Sequence, residues 1–359
     1  MNAPGRSPDV PGIRSLPMRV APAEDESLDS WLEVLAARLD ARWGELVAGV
    51  GVLSRPGEGA AQQLARAAVA PTELQIALIS RATGVDPVRV EATTLAPWIA
   101  AHVSRQRSAT MRVPGSRFCP LCLDERGGRW RVWWRLRWAF ACLTHCCLLE
   151  DRCADCGGLQ RLGPRPPGDK PVVGRCTSYL SSNRAGRCSA PLARNSVRLM
   201  GHDDPLFAAQ RAILSVMRER RACGGIYTDQ PVRSEVFSQD LRLLGTWILR
   251  VAHRHELGSR ISDALARTYT SGAGTHPLVT SPTAGRRGSS SRVSSDAVAA
   301  CVAVPVLSAA DPAAAAEQLR WLTTSMRRRG LSPHTPAHRW RPGVSTALTA
   351  VAQHLASAK

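Results

Sequence analysis

Leu28, Trp31, Leu32, Leu35 and Leu39 recur at three- and four-residue steps with Asp29 and Glu33 between them, the spacing of one apolar helix face. Asp25 or Ser27 precedes this stripe, and either side chain can cap the start of the helix. The stretch SRPGEG (54–59) then breaks the pattern. Helical spacing resumes in TELQIALISRATGVDPVRVEATTLAPW (72–98), which divides at Gly84 into two short helices. Thr72 caps the first, whose apolar face carries Leu74, Leu78 and Ile79. Asp86 caps the second, with Pro87 at the first helical position and Val88, Val90 and Leu95 following. Two short helices around a glycine turn have the outline of a helix-turn-helix, an outline that ordinary helical hairpins share.

Residues 111–198 carry no sustained period, and beyond them the pattern turns helical again. One helix is expected over 204–221. A second, over 234–253, places Phe237, Leu241, Leu244, Ile248 and Val251 on one stripe. Asp311-Pro312 opens a third, with Leu319, Leu322 and Met326 on one face. It ends at Arg327-Arg328-Arg329-Gly330, cations where the helix dipole favours them and then a glycine stop. A last helix is expected over 343–356. The Ser/Gly/Thr-rich segment 270–295 reads as a flexible linker and the Pro/Gly-punctuated residues 1–14 as a flexible start. The predicted fold is therefore mainly α, with small β elements in the cysteine-rich residues 111–198. Its predicted parts are an N-terminal helix-turn-helix-like domain (15–100), a double cysteine-rich module (111–198), a helical region (200–269), the linker (270–295) and a C-terminal helical segment (296–359).

Charge adds a partner to this picture. The 359-residue chain has 47 Lys+Arg against 29 Asp+Glu, a net charge of +18, and all but Lys170 and Lys359 of the basic residues are Arg. The excess is uneven: residues 1–100 are net −3, residues 101–198 net +12 and residues 199–359 net +9. Arginines neutralise phosphates and release counterions, so a nucleic acid is the expected partner. No apolar run approaches the ~18 residues of a membrane span, and MNAPGRSPDVPG lacks a signal peptide's apolar core. A cytoplasmic protein without a membrane partner is expected.

Nine of the eleven cysteines fall between Cys119 and Cys188. They form a ladder of half-sites: Cys119-x2-Cys122, Cys142-x2-His145, Cys153-x2-Cys156, then Cys176 and Cys188. A Cys-x2-Cys knuckle offers two thiolates from one tight turn, and Zn²⁺ takes four such ligands tetrahedrally. Four half-sites make two closed sites. The sequential partition puts Cys119, Cys122, Cys142 and His145 in one and Cys153, Cys156, Cys176 and Cys188 in the other; a cross-braced partition uses the same ligands. Cys146 and Cys147 adjoin His145 and compete for the same metal. With all four positions filled, neither site keeps a place for an activating water, so two structural Zn²⁺ ions and no enzymatic activity are expected.

Between the first two half-sites lies RWRVWWRLRWAFAC (129–142), with four of the ten tryptophans. On a strand, Trp130, Val132, Trp134, Leu136, Trp138 and Phe140 share one face, and Arg131, Trp133, Arg135 and Arg137 the other. On a helix, Trp130, Trp134 and Trp138 still align. A short helix running into a strand at 139–142 is expected, the tryptophans forming core and the arginines contacting phosphate. Arg81 and Arg89 are the corresponding candidates beside the Gly84 turn.

LPMRVAP (16–22), ESLDSWLEVLA (26–36) and FCPLCLDE…WRVWWRLRWAFACLTHCCLLEDRCADCGG (118–158) together resemble the TniQ family of transposition proteins. The likeness covers roughly residues 15–190, and Cys146 stands where that family usually has glycine. The resemblance implies an adaptor for target-site selection. Such a protein engages DNA, or an RNA-guided complex on DNA, and recruits an AAA+ ATPase of the TnsC/TniB type that in turn directs the transposase. A stand-alone zinc and helix-turn-helix transcriptional regulator is the alternative that the residues also allow.

Overall fold

The computed structural model describes residues 15–53, 60–99, 113–163, 165–180, 186–271, 292–330 and 344–357. They are mainly helical, with four two-residue strands, and divide into two compact units. The first comprises the described part of Met1–Pro97 with two short segments from further along the chain, Arg129–Val132 and Gly163–Val173. The second holds Trp98–Gly128, Trp133–Leu162 and the described residues from Gly174 onward. No described helix is long and apolar enough to cross a membrane.

In the first unit, α1 (Leu28–Arg38) starts at Ser27, whose hydroxyl makes no cap hydrogen bond. Glu26 ties the entry instead, its carboxylate accepting from the Ala23 N–H at 2.9 Å and the Ser30 hydroxyl at 2.8 Å. The sequence pattern gave α1 a polar face at Asp29 and Glu33, yet both are buried. The later segments explain the difference. Arg165 pairs with Glu33 at 2.9 Å and Arg129 with Glu26 at 2.7 Å, supplying the counter-charges that buried carboxylates need. Backbone bonds fix both segments: Ser27 N–H to Trp130 O, Val132 N–H to Asp25 O, and Trp43 N–H to Asp169 O.

Three further helices, α2 (Trp43–Gly49), α4 (Glu73–Thr83) and α5 (Pro87–Ala92), enclose a core around Trp31, Leu35, Trp43, Ile79 and Val90, with α3 (Ala60–Ala67) contributing Leu64 and Ala67. The caps expected of α4 and α5 are present. Gln75 N–H donates to Thr72 Oγ1 at 3.1 Å and Val88 N–H to Asp86 Oδ1 at 2.8 Å. Gly84 takes the left-handed φ of 69° that a glycine C-cap permits. The apolar faces differ from the pattern: Leu74 on α4 and Val88 on α5 are exposed, and α5, only six residues long, buries Val90 alone.

The Trp/Arg stretch, whose first residues Arg129–Val132 belong to the first unit and whose remainder belongs to the second, runs as expected from a short helix into a strand, with the helix a single 3₁₀ turn and the strand shorter than 139–142. Val132–Arg135 form one 3₁₀ turn, and only Ala141–Cys142 is strand (β1), paired antiparallel with β2 (Cys147–Leu148). Trp133, Trp134, Leu136, Trp138 and Phe140 are all buried, so the chain buries side chains in every direction rather than on one face. Gln210 anchors the strand entry, its Oε1 accepting from the Phe140 and Ala141 N–H groups and its Nε2 donating to Trp138 O. Gln210 belongs to α7 (Pro205–Glu219), capped by Asp204 as the sequence suggests. The remaining helices are α8 (Ser234–Val251), α9 (Arg254–Gly258), α10 (Asp263–Ser271), α11 (Arg292–Leu307), α12 (Pro312–Arg328) and α13 (Thr346–Ser357). A small β3–β4 pair (Arg221–Ala222 with Val232–Arg233) precedes α8.

The pattern divides α11 between the 270–295 linker and the 296–359 helical segment and marks no separate helix there. α11 is apolar almost all round, buried from Val293 to Leu307 except at Asp296 and Pro305, and packs against α7, α8, α10 and α12. A helix buried on all sides shows no amphipathic period. The expected 270–295 linker is correspondingly shorter at both ends: residues 270–271 close α10 and residues 292–295 open α11, while 272–291 lie outside the described residues, as do 1–14 and 54–59.

Candidate metal centres

The first knuckle sits at the start of α6 (Pro120–Glu125), where Cys119 is the N-cap residue and its sulfur accepts from the Cys122 N–H at 3.5 Å. The second half-site is the β1–β2 hairpin. Cys142 faces Cys147 across the pair, and the connecting loop carries His145. Cys146 has a left-handed φ of 46°, a conformation that glycine adopts without cost.

These elements gather Cys119, Cys122, Cys142 and His145 with all four ligand atoms within 4.8 Å of one another. His145 Nδ1 lies 3.5, 3.3 and 3.5 Å from the sulfurs of Cys119, Cys122 and Cys142, and the Cys122 and Cys142 sulfurs are 3.6 Å apart. A tetrahedron with about 2.3 Å metal–sulfur and 2.0 Å metal–nitrogen bonds has edges of roughly 3.8 and 3.5 Å, so the donor set fits zinc. His145 Nε2 reaches Glu125 Oε1 at 2.9 Å, an arrangement that leaves Nδ1 with its lone pair toward the sulfurs. Cys142 is the favoured thiolate: hydrogen bonds from Cys119 first, then Cys122 and Cys147, push it well below the ordinary thiol range. Metal binding requires the other thiols to lose their protons as well.

The second group is Cys153, Cys156, Cys176 and Cys188, again within 4.8 Å of one another. Sulfur separations are 3.8 Å for Cys153–Cys188 and 3.6 Å for Cys156–Cys176, also tetrahedral edges. Asn195 fixes the knuckle, accepting from the Ala154 N–H and donating to Arg152 O. A Cβ on Gly158 would meet the Ser178 hydroxyl at 2.4 Å, so only glycine lets the 176–188 loop close on the knuckle. Burial pushes the Cys153 thiol up to about 11. The fold thus brings together the sequential partition, and all described cysteines are free of disulfides.

Two neighbouring cysteines part company. The buried Cys147 sulfur lies 3.6 Å from that of Cys119, at the edge of the first group. Cys146 turns away, its sulfur 3.1 Å from His202 Nδ1. Glu125, Gln210 and Asn195 support the groups or the strand beside them without any spacing signal in the sequence; only Glu125, three residues past Cys122, stands close enough to a ligand to be guessed. Cys223 is exposed and Cys301 buried, and neither joins a group.

The candidate phosphate-contacting arginines are scattered. Arg81 and Arg89 are exposed in the first unit, and Arg89 Nη2 donates to Pro22 O at 3.2 Å. Arg131, in the same unit, lies 3.6 Å from Asp25. Arg135 and Arg137 belong to the second unit, both partly covered. Arg137 is enclosed enough that burial lowers its affinity for its proton.

A family model described as TniQ matches residues 17–149. The TniQ segment contains α1 to α6, the Trp/Arg stretch and the whole first sulfur group, and ends just before the second. No curated protein matches the chain.

Proposed function

We propose that this chain is a zinc-stabilised, non-enzymatic adaptor for transposition target-site selection. It engages DNA, alone or through an RNA-guided complex, and recruits an AAA+ ATPase of the TnsC/TniB type, which directs the transposase. The observation that carries this reading is the TniQ match over residues 17–149, which marks a transposition-associated protein. Two further features support it. Both sulfur groups have four protein donors, so a bound Zn²⁺ would be coordinatively closed and would stabilise the fold rather than activate water. The net charge of +18 suits a polyanion.

Cys119, Cys122, Cys142 and His145 hold one zinc ion, and Cys153, Cys156, Cys176 and Cys188 the other. The stand-alone regulator is the weaker reading, because α5 has only six residues to offer a DNA groove. Affinity purification of the tagged chain with an AAA+ ATPase of the TnsC/TniB type, with and without duplex DNA, tests the proposal. The expected result is a ternary complex in which the ATPase is retained on DNA only when the chain is present. DNA binding with no ATPase recruitment would favour the regulator.

A further inference from the structure

The β1–β2 hairpin brings more donors to the first sulfur group than a tetrahedral metal takes. Cys119, Cys122, Cys142 and His145 already make a full set of four. Cys147 is a fifth. It is 0% exposed, and its sulfur lies 3.6 Å from that of Cys119, the same length as the Cys122–Cys142 edge within the set. It also stands directly opposite Cys142 in the strand pair, where the side chains of partnered residues project from one face of the ribbon. Cys147 is thus tied to two of the four ligands, to Cys119 by distance and to Cys142 by register.

Backbone pairing on both edges of β2 holds Cys147 in place. On the edge away from β1 the Leu148 N–H donates to Arg198 O at 3.1 Å and the Met200 N–H to Cys146 O at 2.9 Å, with Leu199 bridged to Cys147. Cys146 is turned to His202 instead of the group. His145 belongs to the loop between the strands, and its Nε2 is held by Glu125, a 60% exposed carboxylate. Removing the imidazole therefore leaves the strand that carries Cys147 still clamped. Buried cysteine also serves as a small apolar filler. The sulfur-to-sulfur distance and the pairing with Cys142 set Cys147 apart from that use, because both place it among thiols.

We propose that Cys147 is a reserve ligand of the first centre: when His145 is withdrawn, Cys119, Cys122, Cys142 and Cys147 close an all-sulfur set of four. Structural zinc sites are built from four cysteines as readily as from three cysteines and a histidine, so the exchange keeps the centre closed. His145, whose Nδ1 lies within 3.5 Å of three sulfurs, is the resident fourth donor. The proposal rests on zinc at the first centre, and its test separates the failure of one from the failure of the other.

The test counts zinc by native mass spectrometry on the full-length chain, His145→Ala, Cys147→Ala and the double variant, with melting temperature reporting folding. Two zinc ions are expected on wild type and on each single variant, and one on the double variant. Cobalt substitution adds a spectroscopic signature. Fully loaded wild type has three thiolates at the first centre and four at the second. Thiolate-to-cobalt charge-transfer absorption in His145→Ala should therefore rise by about one-seventh, as the ligand count goes from seven thiolates to eight. Should His145→Ala fold poorly, zinc release to a chelator decides with His145 in place. Cys147→Ala is then expected to release zinc from the first centre several-fold faster than wild type, because no sulfur replaces a departing imidazole. One zinc on folded His145→Ala overturns the reserve role and leaves Cys147 a core side chain. A double variant that keeps two zinc ions, absorption that does not rise, or equal release rates overturn it likewise. Wild type that binds no zinc, or none that Cys119→Ser removes, overturns the zinc reading of the first centre itself, and the reserve ligand with it.

Discussion

His145 is held through both ring nitrogens, and that fixes what it can do. Burial disfavours its charged form, but the Glu125 carboxylate and the Cys142 sulfur outweigh that and raise its proton affinity. With a metal on Nδ1 the ring is neutral, and the Nε2–H donates to Glu125 Oε1, setting the tautomer. Glu125→Ala is therefore expected to weaken metal binding at the first centre by about 10–100-fold, as loss of such an orienting partner does. Competition against a chromogenic chelator measures this; an unchanged affinity would mean that the hairpin alone orients the ring. Asp240 illustrates the opposite balance. Burial pushes its carboxyl up to about 6, against hydrogen bonds from Ser345 and Tyr227 that favour the charged form. The folded state thus keeps a proton that the unfolded chain releases near 4, so stability held below that pH is lost as pH rises through about 6. Asp240→Asn removes this loss: between about pH 5 and pH 7.5 wild type should lose more melting temperature than the variant does. Parallel pH profiles would contradict the assignment.

At the scale of elements, helices with a polar side and a cap were legible, and those covered on all sides were not. α4, α5, α7 and α12 start where Thr72, Asp86, Asp204 and Asp311 predict, because capping is chemistry between neighbours in sequence. α1 was legible as a helix, but its burial was not: the arginines that neutralise Glu26 and Glu33 lie 103 and 132 residues away. In the Trp/Arg stretch the short helix and the strand after it were legible, but the burial was not, because Trp133 is buried along with Trp130, Trp134 and Trp138 around a short 3₁₀ turn instead of the tryptophans sharing one face. α11 escaped notice for want of any polar face. Its seat against α8 depends on Gly245, whose missing side chain lets the two helices meet at Ala299. Gly245→Leu should separate them and cost about 1–3 kcal/mol, read from urea unfolding of the C-terminal helices. A cost within ±0.5 kcal/mol, typical of a surface site, would show that the contact is looser than described.

For the whole molecule, the ligand ladder was the most legible feature, because x2 spacing is local geometry that a metal requires whatever the surrounding fold. The partition into two groups was not settled by spacing; the β1–β2 hairpin and the Gly158–Ser178 contact decide it. Metal held by both groups would make the folding of this unit metal-dependent, since metal binding free energy is folding free energy in such modules. Binding also releases thiol protons, so the metals should be lost as pH falls. The most direct test is native mass spectrometry of the full-length chain with its Cys119→Ser and Cys153→Ser variants. Two zinc ions on wild type and one on each variant, with none lost in Cys223→Ser, is the expected result. A single zinc or none on the folded wild-type chain would contradict the account.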